Sequence, residues 1–356
     1  MNAEAKQASL IIDSTAKALA NWTVEQHAQV APHLPGRYGP NWRADWVGHA
    51  LSQVHLLAQA VAVRSSALFA HSFRWHFESF KARGVDPTDL LQNLNCFKGV
   101  LAAELPPPVA RGTVEFVAAA IKSVDSPMGD VEAEPVAASG MRTPVLEYLE
   151  AILEGNRSSA ESIIVTARQA GASVAAIHEQ ILAPAQHRLG WMWHRGEISV
   201  ADEHFGSATT QSVMSQLRLH FQRLPSKGRS MVATSTPGDL HEIGLRMVAD
   251  LFEIDGWKVT FLGANTPVAD VVELLERRQF DLLALSVSTA LTLRDAGELI
   301  EAIRGTRATA STKVLIGGPP FRVVHEMWRE LGADGCALSA VAAVAAGNRL
   351  VGGSNG

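Results

Sequence analysis

Apolar residues recur at steps of three and four along ALSQVHLLAQAVAV (50–63) and again along LLQNLNCFKGVLAAEL (90–105). That is the period of a helix with one buried face. Pro and Gly punctuate the neighbouring stretches APHLPGRYGP (31–40) and ELPPPVARG (104–112), so residues 1–125 are expected to form an N-terminal helical domain. The stretch at 126–144 mixes Pro, Gly, acids and small residues with little bulk and reads as a linker. Helical spacing resumes over 145–226. Ser158 three residues before Glu161 and Ser199 three before Asp202 have capping-box spacing, while Gly171, Ser173 and Gly196 mark stops and restarts. Four short helices with tight turns predict a four-helix bundle.

The pattern changes over 227–356. Short aliphatic, β-branched runs stand at 230–235, 257–263, 281–288, 313–318 and 335–339. Helical stretches follow at 241–254, 267–278, 291–304, 321–331 and 340–348. Strands buried on both faces that alternate with helices predict a parallel, doubly wound, flavodoxin-like sheet. Ligands of such sheets bind at the C-terminal ends of the strands. The fold class is therefore α/β plus all-α.

Composition narrows the function classes. The 356 residues are 47% hydrophobic and 19% charged, as in a well-cored globule. Net charge is −5 and Arg277-Arg278 is an isolated basic pair, which argues against nucleic-acid binding. Two cysteines, Cys96 and Cys336, make no disulfide framework. The N-terminus lacks the basic-then-apolar order of a signal peptide, and no apolar run approaches the ~20 residues that span a bilayer. A cytoplasmic location without membrane contact is expected.

The chemistry concentrates after the first strand of the sheet. Gly238-Asp239-Leu240-His241-Glu242-Ile243-Gly244 is not a dinucleotide fingerprint; it puts an imidazole and a carboxylate at the mouth of the strand. The third strand ends in Ser286-Val287-Ser288 and the fourth in Gly317-Gly318. All three segments share one sheet edge if the strands are parallel. Taken alone, an Asp-x-His in a loop is usually solvated surface.

Asp-x-His-x-x-Gly, then Ser-x-x, then Gly-Gly resembles cobalamin-binding domains of the methionine synthase and mutase type. In this chain 41 residues separate Gly244 from Ser286 and 28 separate Ser288 from Gly317, spacings similar to the family's. Ser288 departs from the family's usual Leu. The resemblance implies that His241 coordinates cobalt from the lower face in place of the cofactor's own base, with Asp239 fixing its tautomer. It implies that Gly244, Gly317 and Gly318 leave room for the displaced nucleotide tail, and that Ser286 and Ser288 bond that tail or extend the Asp–His relay.

The helical region before the sheet carries Trp193-His194 and, with nine residues between Trp193 and it, the pair Glu203-His204. This resembles the cap of CarH-type light-sensing repressors, in which such residues enclose adenosylcobalamin. The resemblance implies that Trp193 and Val200 shield the upper face and that Glu203 and His204 bond the adenosyl group. It further implies that His194 moves onto cobalt after photolysis. It covers about residues 145–345; the DNA-binding helix-turn-helix of that family has no counterpart in residues 1–125.

The N-terminal region is dense in rings, among them Trp22, Trp42, Trp46, His49, Phe73, Trp75 and Phe77. At helical spacing such a stripe is more often core than cofactor site. In front of a cobalamin module it also resembles the architecture of photocobilins, whose globin-like domain holds biliverdin. On that resemblance His71 and His76, with Arg37, Arg43 and Arg74 as propionate partners, are the candidates for biliverdin, and Cys96 for a thioether.

Three functions compete. The leading expectation is a non-enzymatic photoreceptor using adenosylcobalamin, with biliverdin as a second chromophore. With no output domain after the last helix, it would act through a light-dependent homo-oligomer or a separate signalling protein. The alternative is a corrinoid methyl-carrier protein of a methyltransferase system. A mutase subunit is disfavoured, because no eight-fold βα repeat is present.

Overall fold

The computed structural model describes residues 2–124 and 141–352. Most of the expected linker, 126–140, lies outside the described residues. The chain divides into two compact units. One comprises residues 1–127 with 289–297 and 320–332; the other comprises 128–288, 298–319 and 333–356.

The first unit is helical: α1 (Ala3–Ser14), α2 (Ala16–Val30), α3 (Leu34–Tyr38), α4 (Trp42–Ala62), α5 (Ser66–Ala82), α6 (Pro87–Glu104) and α7 (Pro107–Ser123). Sequence chemistry sets several helix starts. Asp86 caps α6 through the Thr88 N–H with Pro87 in the first turn, and Ser65 caps α5 through the Leu68 N–H. The ring-rich stripe of α5 is core: Phe69, Phe73 and Phe77 are buried. Arg37 is held by Asp86 and the buried Asp89. Within the same unit, Arg294 pairs with Asp13, and its backbone N–H donates to Gln59 Oε1 at 2.8 Å.

The second unit holds a helical cap and a sheet. The cap consists of α8 (Arg142–Leu153), α9 (Arg157–Gln169), α10 (Val174–Ile177), α11 (Ala183–His194) and α12 (Val200–Leu217). A π-helical turn, His178–Leu182, joins α10 to α11, so the four expected rods are present. Ser199 and Asp202 form the expected reciprocal capping box. Ser158 and Glu161 do not: Asn156 caps α9 instead, through the Ser159 N–H, and both residues fall inside the helix. Val145, Tyr148, Leu149 and Ile152 of α8 pack with Ile177, Ile181, Leu189, Val213 and Met214. Gly206 lets α12 approach closely, since a Cβ there would lie 2.7 Å from Leu189 and 3.1 Å from Ile152.

The sheet comprises β1 (Ser230–Ser235), β2 (Lys258–Gly263), β3 (Leu282–Ser286), β4 (Lys313–Gly317) and β5 (Gly335–Ala337), all parallel in the order β2-β1-β3-β4-β5. That is the flavodoxin-like order, with its switch point between β1 and β3. Helices α13 (Ile243–Ile254), α14 (Val268–Arg278), α15 (Leu293–Gly305) and α18 (Ala340–Gly352) alternate with the strands. The helix expected over 321–331 is instead two short pieces, α16 (Pro320–Val323) and α17 (Met327–Glu330). Met247 and Leu251 of α13 and Ala340 of α18 belong to the cap's own core, so cap and sheet share one apolar interior.

Candidate functional site

Register brings the motif together. Ser235 pairs with Ser286, Ser286 with Gly317, and Gly317 with Ala337, so four strands end in one row. Beyond β1 the chain turns at Gly238, whose φ of 80° falls in the left-handed region and whose N–H donates to Asn265 Oδ1 at 2.8 Å. The Asp239 N–H donates to the Thr236 carbonyl, and the Ser235 hydroxyl donates to the His241 carbonyl, both at 3.0 Å. The His241 loop is thus tied down at both ends.

Asp239 is the hub. Its side chain is fully buried, and Oδ1 lies 2.9 Å from His241 Nδ1 and 3.0 Å from the His241 N–H. Oδ2 accepts from the Ser288 backbone N–H at 2.6 Å. Burial alone would raise this carboxyl, but the hydrogen bonds from His241 and Ser288 outweigh it and hold it below the usual carboxylate range. The hydrogen bond to Asp239 in turn raises the imidazole's proton affinity; burial opposes it, and the charges of Asp239 and Glu203 add to it. A ring held at Nδ1 by a carboxylate presents Nε2 outward as a more basic donor, which is how metal-binding histidines are prepared. The His241 side chain is 70% exposed.

The expected relay through serine therefore exists, but it runs through the main chain of Ser288. The departure from Leu at this position leaves that contact intact. Gly317 and Gly318 have a nearer reason to be glycine than room for a ligand. A Cβ at Gly317 would lie 2.4 Å from the Ala337 carbonyl oxygen, and one at Gly318 would lie 1.8 Å from that of Val287. Gly244, in contrast, has no atom within 4 Å of where a Cβ would stand.

In the cap, Trp193 and Val200 are partly exposed, at 39% and 52%. Glu203 accepts from the Ser207 hydroxyl at 2.6 Å and lies 3.7 Å from the exposed His204. His194 is buried, and its ring stacks on Trp191 with centroids 5.6 Å apart. Sequence reasoning missed Ser235, Thr236 and Asn265, which pin the loop, and Gln211 and Glu242. The Thr-Ser-Thr run over 234–236 ends at the strand mouth and was the available signal for the first two.

The residues fit a corrinoid. They offer an outward imidazole nitrogen, open space at Gly244, and partly exposed apolar side chains at Trp193, Val200 and Leu240. Residues 229–346 match the family model of the B12 binding domain, and residues 146–218 match a second B12 binding domain model. The C-terminal half is a cobalamin-binding module.

A corrinoid protein of Desulfitobacterium hafniense is 28% identical over 170 residues, 46% of this chain and 77% of that one. A trimethylamine corrinoid protein of Methanosarcina barkeri is 26% identical over 55% of this chain and 91% of its own length. The structure of the monomethylamine corrinoid protein of Methanosarcina barkeri aligns with a TM-score of 0.52 at 21% identity, covering 58% of this chain and 97% of that one. That likeness shows the fold.

These findings overturn the photoreceptor expectation. Relatives aligned over 49–58% of this chain are named dimethylamine and trimethylamine corrinoid proteins, and a CarH-type or photocobilin relationship finds no support among them. The cap pattern Trp193-His194 with Glu203-His204 carried that expectation, and these relatives do not support it. The role of His194 as a light-released cobalt ligand falls with that reading, as do biliverdin at His71, His76, Arg37, Arg43, Arg74 and Cys96, and the light-dependent homo-oligomer. Arg37 is already committed to Asp86 and Asp89. The expectation that the chain is not itself an enzyme agrees with relatives named as corrinoid proteins. Among the described residues, no helix is long and apolar enough to cross a membrane.

Proposed function

We propose that this chain is a corrinoid methyl carrier, which receives a methyl group from one methyltransferase partner and yields it to another. Cobalamin, when bound, supplies the cobalt centre that takes up and releases the methyl group. His241 would hold the cobalt through Nε2, with the proton kept on Nδ1 by Asp239. Gly244 would leave space for the displaced nucleotide tail, and Ser286 stands in the row of strand ends, paired with Ser235 and Gly317. Trp193 and Val200 of the cap would shield the bound cofactor, with Glu203 and His204 as the polar groups near them. A methyl group needs less room above the corrin than an adenosyl group does, and the partly exposed Trp193 suits a cover that must open to partners.

The observation that carries this reading is the buried Asp239 carboxylate joined to both His241 Nδ1 and the Ser288 N–H. The test is reconstitution with methylcobalamin and with hydroxocobalamin, followed by reduction to the Co(II) state and electron paramagnetic resonance. A nitrogen splitting in the wild type that disappears in His241→Ala, with cobalamin still retained, supports the reading. The same splitting in both proteins removes His241 as the ligand.

A further inference from the structure

Glu242 follows His241 directly, and its carboxylate is braced from three elements of the second unit. Oε1 accepts from Gln211 Nε2 of cap helix α12 at 3.1 Å. Oε2 accepts from the Ala264 N–H, just past β2, at 3.3 Å. Arg246, one turn along α13, approaches Oε1 at 3.5 Å. The end of β2 is shaped for this carboxylate. Gly263 has φ 79°, and a Cβ there would lie 2.6 Å from Glu242 Oε2.

On α12, Glu203, Ser207 and Gln211 stand four residues apart and so share one face. Ser207 bonds Glu203, and Gln211 bonds Glu242, so this polar stripe runs from the cap's margin to the loop that carries His241. The shared apolar core joins cap and sheet around α13 and α18; the Gln211–Glu242 bond ties α12 directly to the residue beside the proposed metal ligand.

We propose that Glu242 is a positioning residue that latches cap helix α12 to the His241 loop, holding the cap and the lower axial ligand in one register. The inference rests on the reading of His241 as the axial ligand. A carboxylate suits the task because it accepts two hydrogen bonds, one on each oxygen, from donors on separate elements. An amide at 242 can keep both bonds only if Gln211 turns its own carbonyl oxygen towards it. Conservative replacement is therefore tolerated, while truncation or a second carboxylate is not.

The experiment compares Glu242→Ala, Gln211→Glu, Glu242→Gln and the double variant Gln211→Glu/Glu242→Gln in the full chain. Amide hydrogen exchange in cofactor-free protein reads the latch itself. Exchange in α12 and in residues 238–242 should quicken about ten-fold or more in Glu242→Ala and Gln211→Glu, the scale of losing a hydrogen bond to a charged group. Glu242→Gln and the double variant should exchange as the wild type does. Loaded with Co(II) cobalamin, the first two should show a mixture of nitrogen-bound and nitrogen-free cobalt with cobalamin retained, and the other two only the nitrogen-bound form. Wild-type exchange in Glu242→Ala and Gln211→Glu, or failure of the double variant to recover, overturns the latch. Absence of nitrogen-bound cobalt in the wild type removes the axial-ligand reading instead, and the exchange comparison still decides the latch.

Discussion

Asp239 Oδ2 accepts a hydrogen bond from the backbone N–H of Ser288 at 2.6 Å, joining the mouths of β1 and β3 through a fully buried carboxylate. Because the donor is main chain, the bond does not depend on the side chain at 288, while the acceptor has no substitute.

Ser288→Leu should therefore be nearly silent. Stability is expected to change by less than about 0.5 kcal/mol, with cobalamin affinity within two-fold of wild type. Urea unfolding and cobalamin titration check this; a ten-fold loss of affinity would show that the hydroxyl matters.

Asp239→Asn should do the opposite. Its amide has one acceptor oxygen where the carboxylate has two, so it can serve either the His241 side or the Ser288 N–H, and either the imidazole tautomer or the tie to β3 is lost. Cobalamin affinity is expected to fall about 10- to 100-fold, the usual cost of removing the partner of a metal-binding histidine. An affinity unchanged from wild type would sever Asp239 from the site.

Gly318→Ala tests the strand mouths. With φ 131° and a Cβ position 1.8 Å from the Val287 carbonyl oxygen, the added methyl meets rigid backbone. A loss on the order of 4 kcal/mol is expected, measured as a shift of the urea midpoint. A midpoint within error of wild type would mean that the β3 and β4 ends part easily.

The interface of cap and sheet buries His178 of the π-helical turn against Asp250 of α13, with His178 Nε2 3.9 Å from Asp250 Oδ2. Burial pushes His178 down to about 4. Burial likewise pushes Asp250 up to about 6, with the Arg218 guanidinium pulling the other way. The folded His178 refuses a proton that the unfolded chain takes up, so stability is lost as pH falls from 6.5 towards 4. Asp250 acts in the other direction: its raised value costs stability above pH 6, and that cost is relieved as pH falls towards the unfolded carboxyl's value. Relative to wild type, His178→Phe should gain roughly 2 kcal/mol between pH 6.5 and 4.5. Parallel stability curves for the two proteins over that range would show that His178 does not titrate in this window.

Much of the C-terminal half was legible. Strand and helix alternation gave five parallel strands within a residue or two of their ends, because runs such as LLALS buried on both faces have no polar alternation to blur them. The Ser199–Asp202 capping box was readable, since both partners lie within one turn. The Ser158–Glu161 box was not, because Asn156 starts the helix two residues earlier by accepting from the Ser159 N–H, which leaves Ser158 inside it. The cap motif of Trp193 and Glu203 was read as favouring a light sensor, and the relatives overturn that reading.

By itself the sequence determined the short aliphatic runs and the period-3.6 segments, their order, and the spacing of Asp239, His241, Gly244, Ser286 and Gly317, all of which follow from local pattern. Only the tertiary structure decided that Ser288 acts through its main chain, that Glu242 reaches Gln211 on the cap, and that His178 and Asp250 are buried together. The physical reason is that a hydrogen bond across 49 or 31 residues, or the loss of water from a buried pair, depends on which backbones the packed core brings within 3 to 4 Å. Local periodicity carries no record of that distance.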